Sequence, residues 1–134
     1  VTKATGAFFT IIGCMDGRIQ EPISRFGQEK FGAKYPDTIT EAGLVGILAN
    51  NPSQEFLAIL KKKIDISLDK HHSKGIIVHG HQDCAASDAV DDEKQKADIK
   101  KSVDIVRTLV NSQVPVIGVF VRRVQDEDWK IEEL

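Results

Sequence analysis

Two short clusters hold most of the reactive side chains of this 134-residue chain: Cys14-Met15-Asp16-Gly17-Arg18 and His79-Gly80-His81-Gln82-Asp83-Cys84. Thiolate sulfur and imidazole nitrogen are preferred zinc donors, and a catalytic zinc takes three protein ligands and keeps its fourth position open. His81 and Cys84 are separated by two residues, so one loop can wrap a metal, and Cys14 offers a third donor from the other cluster. Asp16 and Arg18 add a carboxylate and a planar fork of N–H donors that suits it. Plainer roles stay open for the same residues. Both cysteines could be small buried hydrophobes, or could pair as a disulfide. His81 could be a hydrogen-bonded loop histidine, and Asp16 with Arg18 a surface ion pair of little consequence.

The elements that must position these clusters read as alternating strands and helices. Ala7–Gly13 is a short apolar run suited to a buried strand. It also looks faintly like a signal-peptide core, but lacks a convincing small-residue cleavage site. Ser24–Lys34 reads as a helix and turn punctuated by Gly27 and Gly32, and Thr38–Glu41 as a second strand after a Pro36-Asp37 turn. Asn51 is placed to cap the next helix, with Pro52 at its first position and Gln54 as the capping partner. Phe56, Leu57, Leu60, Ile64 and Leu68 form its apolar face. Gly75 opens a third strand, Ile76–His79. Helical spacing returns with Ile99, Val103, Val106 and Val110, Val114–Val121 is a fourth strand, and Lys130–Leu134 a last edge strand. This order predicts an α/β fold with a mostly parallel central sheet of about four or five strands flanked by helices. In such sheets sites form beyond the carboxyl ends of strands, and Cys14 follows the first strand while His81 and Cys84 follow the third.

Composition limits the function classes. Hydrophobic residues make up 41% and charged residues 28%, with a net charge of −2. That balance fits one globular domain over residues 1–134 and offers no basic excess for nucleic acid. No apolar run approaches the roughly 20 residues of a membrane span. Two cysteines are too few to staple a secreted scaffold, so a reduced, cytoplasmic chain is expected. The chain opens on Val1 rather than Met, which leaves room for upstream residues.

The paired motif, Cys-x-Asp-x-Arg after a first strand and Gly-His-x-x-Cys after a later one, resembles the β-class carbonic anhydrases, in their compact, divergent branch. The resemblance implies one Zn²⁺ per chain on Cys14, His81 and Cys84, with Asp16 and Arg18 as the Asp–Arg pair beside it. In some members the aspartate swings in as a fourth ligand and shuts the site. The implied activity is reversible hydration of carbon dioxide to bicarbonate by zinc-bound hydroxide. Because two thiolates make bound water less acidic, a nearby acceptor such as Asp16 would help. A homodimer or higher homo-oligomer is also implied, and neither nucleic acid nor membrane. Carbonyl sulfide or carbon disulfide hydrolysis on the same scaffold, and a catalytically silent zinc protein, are the alternatives.

The resemblance weakens where the family usually carries Arg-Asn-Ala-Gly. Here the stretch is Thr40-Glu41-Ala42-Gly43, and Ala85 replaces the glycine after the second cysteine. Other chemistries fit less well. A thiol phosphatase would need its arginine at the position of Gln20, six after Cys14. His79-Gly80-His81 is one residue short of a nucleotidyl-transferase signature, and no phosphate-cradling glycine loop is present. His79 is expected to pack on the strand, Asp83 to cap a helix from Cys84, His71-His72 to lie on the surface, and Asp91–Lys101 to be a solvated face.

Overall fold

The computed structural model describes residues 6–87, 90–111 and 113–134. Five strands form one sheet: β1 (Phe8–Gly13), β2 (Tyr35–Thr40), β3 (Ile76–His81), β4 (Val116–Gln125) and β5 (Asp128–Glu133), in the order β2-β1-β3-β4-β5. The first four run parallel, and β5 returns antiparallel to β4 through a tight hairpin. The helices are α1 (Gln20–Phe31), α2 (Leu44–Ala49), α3 (Gln54–Asp65) and α4 (Asp92–Leu109), with a π-helical turn, Ile66–Lys70, extending α3. The expected α/β architecture is thus the observed one.

Side chains alternate across the strands and divide the core in two. Ile76, Val78 and Phe120 face a layer made by Leu44, Leu48, Leu60, Ile64, Ile99, Val103 and Val106, drawn from α2, α3 and α4. Phe9, Ile11, Ile77, Val119 and Val121 face the other way, with Ile19 and with Ile23 of α1. Each fully buried aliphatic side chain of this kind contributes about 1.5–3 kcal/mol, so both sheet faces must be covered. That requirement is why β1, the start of β3 and the first half of β4 read as nearly continuous apolar runs.

Several boundaries differ from the sequence expectation, each for a local reason. Helix α1 starts at Gln20, because Pro22 lies in the first turn, where a missing N–H costs no intrahelical bond. Pro36 and Asp37 lie inside β2, not in a turn; β2 is an edge strand, where proline is tolerated. The cap of α3 is Ser53, whose hydroxyl accepts from the Phe56 N–H at 3.1 Å. Asn51 instead takes a left-handed φ of 53° two residues earlier. Asp91 caps α4 through the Lys94 N–H at 2.8 Å, and Gln95 and Asp98 of the expected solvated face are buried beside the apolar Ile99. His71 is not a free surface residue either. Its ring stacks on Phe8 at 4.2 Å and its Nδ1 lies 2.7 Å from Asp37 Oδ2, which also accepts from Ser67 Oγ.

What this fold positions is a single sheet end. β1 and β3 are parallel neighbours, so the residues that follow Gly13 and those at His81 emerge side by side. The end of β2, next to β1, delivers residues 41–43 to the same place.

Candidate metal centre

Cys14, His81 and Cys84 converge at this sheet end. Their Sγ and ring nitrogen atoms all lie within 4.8 Å of one another, and the two sulfurs are 3.8 Å apart. Both cysteines are free thiols, so the disulfide left open by the sequence is not formed. Tetrahedral coordination with Zn–S bonds of about 2.3 Å places two thiolates about 3.8 Å apart, so the spacing suits such an ion. His81 is the last residue of β3 rather than a loop residue, which fixes its ring on the sheet. Its Nδ1 lies 2.6 Å from the Gln82 carbonyl oxygen and so carries the proton. That leaves Nε2 as an unprotonated donor, buried and without a hydrogen-bond partner among the described residues. A metal is the partner such an orphaned nitrogen would take.

Backbone geometry builds the surroundings of Cys14. The Gly43 N–H donates to Cys14 Sγ at 3.4 Å. Gly43 caps the start of α2 with a φ of 64°, and a Cβ there would meet Ala86 at 2.9 Å. The retained Gly43 is therefore a conformational requirement. Gln20 Nε2 donates to the carbonyl oxygens of Cys14 and Asp16 at 2.9 and 2.7 Å and pins the loop between them. Ala85 sits in an exposed turn with no left-handed φ, so glycine is not needed there.

Asp16 lies beside the cluster and outside it. Its Oδ1 accepts from the Arg18 N–H at 2.9 Å and from Arg18 Nε at 3.1 Å, and its Oδ2 accepts from Arg18 Nη2 at 2.7 Å. Oδ2 stands 4.0 Å from His81 Nε2, too far for a hydrogen bond. The Arg18 side chain, more than the offsetting burial, its backbone N–H and the nearby His81, holds the Asp16 pKa down at about 2. Asp16 and then Asp83 push the Arg18 guanidinium further above its already high range.

Asp83 does not cap a helix. Residues 84–87 form turns, and 88–89 lie outside the described residues. With a left-handed φ of 55°, tolerable for aspartate, Asp83 directs its carboxylate to Arg18 Nη1 at 3.0 Å and Arg123 Nη1 at 3.8 Å. His79 packs on the strand as expected. It is fully buried, and burial first, then His81, pushes its pKa down to about 3, so it is neutral. Its ring fills the space where any Cβ at Gly13 would sit.

A family model described as "Putative carbonic anhydrase" matches residues 4–134. The chain belongs to this carbonic anhydrase family. Its fold is similar to the crystal structure of the β-carbonic anhydrase CafA of the fungal pathogen Aspergillus fumigatus. That match has a TM-score of 0.54 and 14% identity, and covers 94% of this chain and 74% of that one. No curated protein matches the chain in sequence.

Within the carbonic anhydrase family frame, the residues singled out from sequence share one end of the sheet. Three further residues join them in roles the sequence did not indicate: Gly43 at Cys14, Asp83 at Arg18, and Trp129, whose ring lies 5.1 Å from the Arg18 guanidinium and edge-on to His81 at 6.2 Å. Asp83 lies inside the second motif, and its position beside a candidate ligand was the available signal. Trp129 is 45 residues from the nearest ligand, and no sequence pattern ties the two. No helix among the described residues is long and apolar enough to cross a membrane.

Proposed function

We propose that this chain is a zinc enzyme that catalyses the reversible hydration of carbon dioxide to bicarbonate, with Cys14, His81 and Cys84 as metal ligands and Asp16 and Arg18 as catalytic residues. One observation carries the reading. Three donors converge with a free His81 Nε2, while Arg18 holds the Asp16 carboxylate outside the donor set and within 4.0 Å of that nitrogen. When bound, zinc would supply hydroxide at neutral pH by lowering the pKa of a water molecule to about 7.

The chain's own residues do the rest. The Gly43 N–H stabilises negative charge on Cys14 Sγ. The Gln82 carbonyl fixes the His81 tautomer, keeping Nε2 free to donate its lone pair. Asp16, ionised throughout the neutral range, accepts a hydrogen bond from the attacking O–H on its Oδ2 and aims the oxygen lone pair at the carbon. Arg18 binds both carboxylate oxygens from the other side, so that Asp16 is an acceptor and not a competing ligand. The substrate is small, linear and uncharged, and a chain with net charge −2 needs no basic surface to recruit it. We further propose a cytoplasmic homodimer or higher homo-oligomer in which residues 1–134 act as one zinc domain; the sheet ends on β2 and β5 offer the edges for assembly.

Stopped-flow hydration of carbon dioxide by zinc-loaded protein, from about pH 7 to about pH 9 around the ionisation expected for zinc-bound water, tests the activity. A rate well above buffer, lost in Asp16→Asn with zinc retained, is expected. Stoichiometric zinc with no rate above buffer would contradict the reading. Size exclusion tests the assembly, and a monomeric profile would contradict it.

A further inference from the structure

We propose that Trp129 is a positioning residue, whose indole holds the Arg18 guanidinium in the orientation in which it grips Asp16. The inference rests on the roles of Asp16 and Arg18 proposed above. Arg18 lies on the loop between β1 and α1, and its side chain is 40% exposed. A long side chain in that setting has many rotamers to lose. Four of its five N–H donors nonetheless reach Asp16 and Asp83. Both partners are loop residues themselves, and the Asp83 side chain is 63% exposed, so hydrogen bonds alone tie one loop to another.

Trp129 supplies the fixed surface. It lies on β5, paired with Arg123 in the ladder with β4. It packs against the cluster that contains Cys14, Ile19 and Val121. Its ring meets Arg18 at 5.1 Å and Arg123 at 5.3 Å, both within cation–π range. The Asp83 carboxylate lies 3.0 Å from Arg18 and 3.8 Å from Arg123, and relieves the repulsion between two guanidiniums on one indole. The stack therefore ties the end of Arg18 to the hydrogen-bonded β4–β5 ladder. If that hold is lost, Asp16 Oδ2, 4.0 Å from His81 Nε2, is within reach of the donor cluster as a rival ligand.

Two measurements test this, one of them independent of any metal. In metal-free protein the Arg18 Nε–Hε resonance is expected to be protected in wild type and in Trp129→Phe, and lost to solvent exchange in Trp129→Leu. An unchanged resonance in Trp129→Leu would overturn the proposal. Trp129 is the sole tryptophan, so Arg18→Gln, a change at an exposed residue, should shift its emission and its iodide quenching even if the Leu variant does not fold. Unaltered emission and quenching would overturn the stack.

In cobalt-loaded protein, Trp129→Leu is expected to change the visible absorption as an Asp16 oxygen enters, and Asp16→Asn added to it to restore the wild-type bands. An unaltered spectrum in folded Trp129→Leu would refute the positioning role. Carbon dioxide hydration by Trp129→Leu should fall in kcat by roughly 2- to 5-fold, as an exposed cation–π contact implies, with Trp129→Phe near wild type. Failure of cobalt to bind would count against the zinc reading, whereas the metal-free arms decide the stack by themselves.

Discussion

Arg18→Ala in the metal-free protein isolates what the guanidinium does for Asp16. In the fold Asp16 has a pKa of about 2, against the usual 3.8. At about 1.36 kcal/mol per unit, the full difference is about 2.4 kcal/mol at neutral pH. Arg18 is 40% exposed, so solvent screens part of this, and its backbone N–H remains on Oδ1 in the variant. A loss of about 1–1.5 kcal/mol is the working expectation. The pH dependence has a definite sign. A carboxylate with a depressed folded pKa stabilises fully above its unfolded value of 3.8, and the contribution fades as pH falls through about 2. The difference between wild type and Arg18→Ala should therefore be largest at pH 7 and shrink to about half at pH 3. Urea unfolding of both chains at the two pH values, with a chelator present, reads it. An equal difference at pH 3 and pH 7 would mean that Arg18 stabilises by packing on Trp129 and not by charge, and would refute the reasoning.

Three other perturbations test the frame around the site. Gly13→Ala drives a methyl group into the buried His79 ring. It should cost about 2–3 kcal/mol in chemical denaturation, and adding His79→Ala should recover part of that loss; strict additivity would contradict the contact. Ser53→Ala removes the cap of α3 and should cost about 1 kcal/mol, with no change in metal content. Asp37→Asn weakens the bonds to both Ser67 and His71 on one oxygen, and should lower stability by about 1–2 kcal/mol in a urea titration; an unchanged midpoint would place His71 back on the free surface.

The reactive residues were legible because their chemistry is local. Cys14, His81 and Cys84 are rare, soft donors in short motifs, and the rule that parallel sheets gather their sites at strand ends brings the two motifs together. Two residues apart on one strand, His79 and His81 share a face, and Ile77 and His79 point to the side that holds Cys14. Boundaries were less legible, because tertiary context overrides local signals. Pro36 reads as a turn until β2 is known to be an edge strand, and Pro22 hides the start of α1. Asp83 has the composition of a helix cap, and only the long-range approach of Arg18 and Arg123 gives it another partner. Gly43 and Trp129 act on the site through contacts 29 and 111 residues from Cys14 and Arg18, and sequence order encodes no such contacts.

The central claim is that Cys14, His81 and Cys84 hold a metal, and X-ray absorption at the zinc edge, on wild type and Cys84→Ser, tests it most directly. About one zinc per chain with two sulfur donors and one imidazole nitrogen is predicted for wild type, and loss of stoichiometric metal for the variant. Stoichiometric zinc in Cys84→Ser, or a wild-type first shell without sulfur, would contradict it.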